Sequence, residues 1–101
     1  MKHKLENNQL SIFVEEDLLS TNVQEIRAHL EAAFSELKAN AHVIVDITKC
    51  KIIDSQGLNL LIGLYKESTK KSASFKVIGC SPANLRLFSI FKLKERFGIT
   101  E

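Results

Sequence analysis

An aspartate and a serine stand together in the segment "KIIDSQGLNLLIG", residues 51–63, where an apolar pair is followed by a helical pattern. Aspartate is a preferred helix N-cap residue, because its carboxylate can accept backbone N–H groups of the first turn, so Asp54 could cap the helix that follows. Ser55 then falls in that turn, where free N–H groups and the helix dipole favour an added negative charge such as a phosphate. Two interpretations follow: a helix start and nothing more, which is the commoner use of this pattern, or a hydroxyl displayed for chemistry.

The position of this segment in the predicted fold supports the functional interpretation. It follows a predicted strand after a short loop, so Ser55 should lie near the carboxyl edge of the sheet, where open α/β sheets place ligands and reactive groups. Asp46 closes that strand, and its carboxylate is expected to lie near the start of the helix. The alternative is that Asp46 only accepts N–H groups of its own loop.

Enzyme chemistry finds little support in the sequence. A nucleophile elbow reads G-x-S-x-G, but Ile53 stands at the first position, and no histidine is placed as a base for Ser55. The glycines form no nucleotide-binding pattern. Cys50 and Cys80 lack the C-x-x-C spacing and are interpreted as reduced, partly buried thiols that follow two strands at the same sheet edge. We therefore expect no catalytic activity, no metal and no cofactor.

The composition indicates one ordinary globular domain. The chain has 101 residues, of which 45% are hydrophobic and 26% charged, enough for a single core. The net charge is +2 and no basic run occurs, so a nucleic-acid partner is not expected. The first ten residues lack the apolar segment of a signal peptide, and no apolar stretch is long enough to cross a bilayer. These features predict a cytoplasmic protein without a membrane partner.

The first third of the chain reads as a hairpin followed by a helix. "QLSIFVEE", residues 9–16, alternates like a strand, and "HKLENN", residues 3–8, supplies a short partner strand with Asn7-Asn8 as the turn. Apolar residues then recur at helical spacing up to residue 37. Thr21 and Gln24 have the spacing of a capping box for this helix.

The remaining elements alternate between strands and helices. "AHVIVDI", residues 41–47, is a β-branched run typical of a central strand covered on both faces. A helix is predicted from 54 to 71, a strand over 74–80, a helix that begins at Ser81-Pro82, and a short last strand in "ERFGITE", residues 95–101. The expected buried side chains of the two helices are Leu58, Leu61, Ile62 and Tyr65, and Leu85, Phe88 and Phe91. The order predicts a single α/β domain with a mostly parallel sheet flanked by helices.

Two long segments carry a family resemblance. "VIVDITKCKIIDSQGLNLLIGLYKES" and "FKVIGCSPANLRLFSIFKLKERFGI" resemble the STAS domain family, and specifically the bacterial anti-sigma factor antagonists. "LLSTNVQEIRAHLEAAF" is similar to the first helix of that family, so the resemblance covers nearly the whole chain, 1–101. Its most specific part is a strand that ends in Asp46, a short loop, and then Asp54-Ser55-x-Gly57-Leu58.

The resemblance implies a regulatory function. In the family, the serine after the motif aspartate is the phosphorylation site, which falls on Ser55. The unphosphorylated antagonist captures an anti-sigma factor that is itself an ATP-dependent serine kinase and so releases the sigma factor. Phosphorylation by that kinase breaks the complex, and a metal-dependent phosphatase restores it. The residues expected to contact the partner are Asp46, Asp54, Ser55, Gln56, Gly57 and the acidic turn Glu15, Glu16 and Asp17.

Some residues depart from the family pattern. Gln56 stands where many relatives have a second Ser or Thr, and Asn59 replaces a frequent glycine. The acidic turn lacks the glycine often found there, which leaves the identity of the partner open. The alternative function is that of a STAS subunit in a lipid-transport complex or a stressosome-type scaffold, because the motif serine is often present there too.

Overall fold

The structure is a computed structural model that describes residues 1–99. Over these residues the chain forms four strands and three helices. In chain order they are β1 (Lys2–Glu6), β2 (Gln9–Phe13), α1 (Val23–Ser35), β3 (His42–Asp46), α2 (Ser55–Lys70), β4 (Ser74–Ile78) and α3 (Pro82–Ile90). The predicted α/β class is confirmed.

The sheet has the order β1-β2-β3-β4 and is mostly parallel. β1 pairs antiparallel with β2 through a tight hairpin, whose turn residues Asn7 and Asn8 have φ of 52° and 62°. Asparagine tolerates this left-handed conformation, which two-residue hairpins require, so the predicted turn is confirmed. β2 and β4 run parallel to β3 on either side of it, which makes β3 a central strand, as predicted.

One face of the sheet is buried and the other is largely open. On the inner face Val43 and Val45 of β3 are fully buried. On the outer face Ile44 is half-buried, while Phe13 and Ile78 remain 41% and 38% exposed. The expectation that β3 is covered on both faces was therefore wrong. A β-branched run fits a buried strand, but here no element of the described chain covers the outer face.

α1 has the predicted amphipathic face but not the predicted cap. Its buried side chains are Val23, Ile26, Leu30, Ala33 and Phe34. The capping box of Thr21 and Gln24 is absent, because Asn22 is the N-cap residue and makes no side-chain cap bond. Instead, Asn22 Oδ1 accepts the Leu19 N–H at 3.0 Å and its Nδ2 donates to the Asp17 carbonyl at 2.7 Å. This side chain organises the loop before the helix.

α2 packs against both α1 and β4, which widens its buried face. Leu58 and Leu61 are buried as predicted, whereas Ile62 and Tyr65 are only half-buried. The two leucines that the sequence did not single out, Leu60 and Leu64, are buried at 2% and 7% exposure. They line a groove shared with Leu30 and Phe34 of α1.

α3 and the segment after it differ from the prediction. Phe88 is fully buried and Leu85 half-buried, but Phe91 is 57% exposed because the helix ends at Ile90 and the chain then turns. Leu93 and Phe97 enter the core in its place. Residues 95–98 form turns, and residues 95–99 contain no strand, although the Phe97 carbonyl accepts the Val77 N–H at 2.8 Å. The rest of the predicted last strand, residues 100–101, lies outside the described residues.

Candidate functional site

The first turn of α2 is capped by an aspartate and presents an exposed serine. Asp54 has an extended backbone, with φ −88° and ψ −175°, and its Oδ1 accepts the Gly57 N–H at 2.9 Å. The predicted cap is thus confirmed. Ser55 is the first helical residue and is exposed. The cap occupies one N–H of the first turn and leaves the serine hydroxyl at the surface.

The second carboxylate oxygen of Asp54 binds a different loop. Its Oδ2 accepts the Ser20 N–H at 2.7 Å, across 34 residues of sequence. The Gly57 N–H, and after it the Ser20 N–H, hold the pKa of the Asp54 carboxyl below its ordinary value, because hydrogen bonds to the charged form favour that form. Asp54 is therefore a carboxylate at neutral pH, with both oxygens occupied by backbone donors.

Gly57 is required by a close backbone approach. A Cβ at this position would lie 2.2 Å from the Leu18 carbonyl oxygen. Leu18 itself forms an isolated parallel bridge with Ile53: its N–H donates to the Ile52 carbonyl, and its carbonyl accepts the Asp54 N–H, both at 3.0 Å. The glycine lets the loop around Leu18 pass directly over the start of α2.

The acidic turn before α1 is partly committed to internal bonds. Asp17 Oδ1 accepts the N–H groups of Lys51 and Ile52, at 2.9 and 3.0 Å. The nearest basic groups to Glu15 are the Met1 amino group, at 3.6 Å, and Lys2 Nζ, at 4.0 Å. Glu16 is exposed. The turn therefore lies beside the loop that leads to Ser55, and Asp17 joins the two. A partner contact through these carboxylates stays a prediction.

Asp46 is bonded within its own loop. Its Oδ1 accepts both the N–H and the hydroxyl of Thr48, at 2.9 and 2.6 Å. Gly79, the residue after β4, has a φ of 77°, and its backbone passes close to this carboxylate. A Cβ at Gly79 would lie 3.0 Å from the same Asp46 oxygen. These contacts match the alternative in which Asp46 serves its loop. Its predicted role in partner contact stays untested.

The two cysteines form no disulfide, and one is buried while the other is half-buried. Cys50 and Cys80 are both free, and burial raises the pKa of both thiols, which favours the unreactive protonated form. No group of three His, Cys, Asp or Glu side chains within residues 1–99 could hold a metal ion. Over the same residues, no helix has both the length and the apolar character to cross a membrane.

Three residues important to this geometry were not singled out by the sequence: Leu18, Ser20 and Ile52. All three act through backbone groups that join residues 17–20 to residues 51–54. Backbone donors and acceptors are common to every residue type, so no side-chain pattern could have indicated them.

Comparison with known proteins identifies the family. The sequence pattern of the STAS domain matches residues 2–101. The chain belongs to the STAS domain family. A Thermotoga maritima protein assigned as an anti-sigma factor antagonist has the same fold, with a TM-score of 0.83 at 15% identity over 93% of this chain and 80% of that chain.

Two further solved structures share the STAS fold. The anti-sigma factor antagonist SpoIIAA in its unphosphorylated form gives a TM-score of 0.71 at 18% identity, covering 88% of this chain and 81% of that chain. A sulfate transporter family protein from Wolinella succinogenes gives 0.73 at 12% identity, covering 94% of this chain and 75% of that chain. At these identities the likeness concerns the fold alone, so the function of this STAS domain is argued from its own residues.

Proposed function

We propose that this STAS domain is an anti-sigma factor antagonist that is switched by phosphorylation of Ser55. The observation that carries the proposal is the exposed hydroxyl of Ser55 at the first position of α2, directly after the fixed carboxylate of Asp54. Among its structural neighbours are SpoIIAA and the Thermotoga protein, both anti-sigma factor antagonists by description. The domain acts as a binding module in the cytoplasm and as the substrate of its partner.

The partner is an anti-sigma factor with serine kinase activity. In the transfer, Ser55 Oγ forms a bond to the γ-phosphorus of ATP held by the kinase, the bond to ADP breaks, and the hydroxyl proton passes to a base on the kinase. A metal-dependent phosphatase then transfers the phosphoryl group from Ser55 to water. The antagonist itself supplies the hydroxyl and its position, and no catalytic group.

The charge added to Ser55 explains how binding is switched. A phosphate carries about −1.5 to −2 charges at pH 7. The free N–H groups and dipole of the α2 N-terminus stabilise this charge, while the Asp54 carboxylate opposes it, so the two effects largely cancel within the domain. The kinase has no such compensation, because it must accept a dianion where it had docked a hydroxyl. The complex therefore dissociates without unfolding of the antagonist.

The contact surface includes the start of α2 and the acidic turn. Ser55, Gln56 and Glu16 are exposed and available to a partner. Gly57 is buried against Leu18 and contributes by allowing the close approach of the loop. The other predicted contact residues are Asp46, Asp54, Glu15 and Asp17. The three aspartates also bind backbone N–H groups of the loops at this edge of the sheet, and Glu15 forms an ion pair with the Met1 amino group.

The test is phosphorylation by candidate anti-sigma kinases. The domain is incubated with each kinase and ATP, and the modified residue is found by mass spectrometry. We expect one phosphate on Ser55 and none on the Ser55→Ala variant. Ser20→Ala is the matched control, because Ser20 is a second exposed hydroxyl beside Asp54 and its N–H bond survives the change. Phosphate on Ser20, or on no residue with any kinase, would contradict the proposal.

The alternative is a permanent subunit of a larger assembly, such as a lipid-transport complex or a stressosome-type scaffold. The shared fold with a sulfate transporter family protein keeps this alternative in view. The two functions differ in their response to ATP: a switched antagonist leaves its partner when ATP is added, whereas a permanent subunit remains bound. Analytical size-exclusion chromatography of the complex with and without ATP distinguishes them.

A further inference from the structure

Ile52 is a large apolar side chain that points into solvent three residues before Ser55. It is 58% exposed, while the next residue, Ile53, is buried at 9%. The other large apolar side chains exposed among residues 1–99 lie on other elements: Phe13 and Ile78 at the carboxyl ends of β2 and β4 on the open sheet face, and Ile90 and Phe91 at the end of α3. In the described chain, Ile52 is thus the exposed large hydrophobic group on the loop that carries the proposed phosphorylation site.

The outward direction of Ile52 is set by its backbone. Its N–H donates to Asp17 Oδ1 at 3.0 Å, and its carbonyl accepts the Leu18 N–H at 3.0 Å. Ile53 is bridged to Leu18 and buried, and successive side chains of an extended segment point to opposite sides. Burial of Ile53 therefore keeps Ile52 on the solvent side.

A side chain held in this way suits an interface. Its backbone is already ordered in the free domain, so docking costs less conformational entropy than it would for a mobile loop. Its apolar surface is exposed to water in the free domain, and the transfer of this surface out of water on binding is favourable. Interface energy is concentrated in a few such groups that fill pockets near the centre of a contact.

We infer that Ile52 is the apolar anchor of the partner interface, seated in an apolar pocket of the same kinase that docks the Ser55 hydroxyl. The inference rests on the proposed function and adds the chemistry of the partner: a hydrophobic pocket beside the site that receives Ser55. Asp17 is a positioning residue, because its carboxylate acts on the partner through the backbone of Ile52. Specificity for the partner then depends on the size and polarity of residue 52 as well as on Ser55.

The experiment compares the wild-type domain with Ile52→Ala, Ile52→Gln and Ile52→Leu, using the kinase that phosphorylates the wild type. Ile90→Ala is the matched control, since Ile90 is also an exposed isoleucine, at 67% exposure, and is the last residue of α3 rather than part of the loop before α2. Affinity is measured by isothermal titration calorimetry, phosphorylation by initial rates, and folding by the thermal midpoint.

We expect Ile52→Ala and Ile52→Gln to weaken binding about tenfold or more and to raise KM for phosphorylation with little change in kcat. Ile52→Leu should retain most of the affinity, and Ile90→Ala should match the wild type. Asp17→Ala should weaken binding as well, with Asp17→Asn closer to the wild type, because the amide keeps an Oδ1 acceptor. Thermal midpoints of the Ile52 variants should stay near that of the wild type, since the side chain is exposed.

The outcomes separate the inference from the function on which it rests. Unchanged affinity and KM in Ile52→Ala, with Ser55 still phosphorylated, would overturn the anchor and leave the switch intact. Equal losses in Ile52→Ala and Ile90→Ala would also overturn it, because the effect would not belong to this loop. A wild-type domain that neither binds nor accepts phosphate would overturn the proposed function and the anchor together.

Discussion

Two of the helices that follow parallel strands, α2 and α3, start in different ways. α2 follows β3 and is capped by Asp54, whereas α3 follows β4 and is capped by Ser81, whose Oγ accepts the Asn84 N–H at 3.1 Å. At the first helical position α2 has the exposed Ser55, and α3 has Pro82, which has no N–H group and no hydroxyl. In α3 the one hydroxyl at the start is used as the cap.

The side chains behind each cap differ as well. Both oxygens of Asp54 are occupied, by the N–H groups of Gly57 and Ser20. At α3, Asn84 is buried and its Nδ2 donates to the Cys50 carbonyl at 3.0 Å. The comparison teaches that two capped helix starts can differ in the polar groups that they leave exposed. The cap of α2 leaves a second polar group, the Ser55 hydroxyl, at the surface, whereas the hydroxyl at the start of α3 is the cap itself.

Phosphorylation should give the largest effect and test the comparison most directly. We expect phosphorylated Ser55 to lower affinity for the kinase by at least about a hundredfold, because a dianion placed at a docked interface costs several kcal/mol. Ser55→Asp should weaken binding, and Ser55→Ala should bind but remain bound when ATP is added. Titration calorimetry and thermal midpoints of each form provide the measurement. As a control, Ser81→Ala should leave binding unchanged. If the phosphorylated domain bound the kinase as tightly as the unmodified domain, Ser55 would be only a helix-start residue and not a switch.

Gly57→Ala should be the largest change in stability at this site. The new Cβ would meet the Leu18 carbonyl oxygen at 2.2 Å, and such overpacking costs about 1–3 kcal/mol. Gly63→Ala is the control in the same helix, since the nearest heavy atom to its Cβ is Arg27 Nη2 at 4.0 Å. That change should stabilise the domain by up to about 1 kcal/mol, the helix-propensity difference between glycine and alanine. If urea unfolding gave the same change in stability for both variants, the loop around Leu18 would be able to move away from α2 at no cost.

Removal of the two caps should separate their roles. Ser81→Ala should cost about 1 kcal/mol, the typical loss of one capping bond. Asp54→Ala should lower the thermal midpoint further than Ser81→Ala, because it removes the bond to Ser20 as well as the bond to Gly57. Hydrogen exchange at the Ser20 amide should accelerate only in the Asp54 variant. Protection that survives there would mean that Ser20 is held by another contact.

The smallest expected effect is a pH dependence of stability that comes from the Asp54 cap of α2 and not from the Ser81 cap of α3. The pKa of Asp54 is below its ordinary value in the folded chain, mainly through the Gly57 N–H and then the Ser20 N–H. The folded state therefore binds fewer protons than the unfolded state over the acid range, so stability rises with pH there. The contribution of Asp54 is fully present above about pH 4, its unfolded range, and is lost as pH falls through the lower folded pKa. Asp54→Asn should flatten this acid limb in urea unfolding at pH 2–6, whereas Ser81→Ala should keep the wild-type slope.

The sequence by itself determined the class of the fold, the order of its elements from β1 to α3 and the cap at Asp54. These features depend on residues a few positions apart: the Asn7-Asn8 turn, the alternation in β2, the helical spacing in α2 and the Asp54 cap three residues before Gly57 all show in the local pattern. The family resemblance added Ser55 as the candidate switch, and the domain match over residues 2–101 confirmed the family.

Only the tertiary structure decided which surfaces stay open and what holds the loops together. Phe91 leaves the core because the chain turns after Ile90, and Leu60 and Leu64 enter it because α2 also packs on α1. Residues 17–20 and 51–54 are joined across about 34 residues of sequence by backbone–backbone hydrogen bonds of Leu18 and by backbone N–H groups that donate to the carboxylates of Asp17 and Asp54. These bonds form because parallel pairing of β2 and β3 brings the two following loops to one edge, and a backbone N–H or carbonyl shows no preference for such a partner in the sequence.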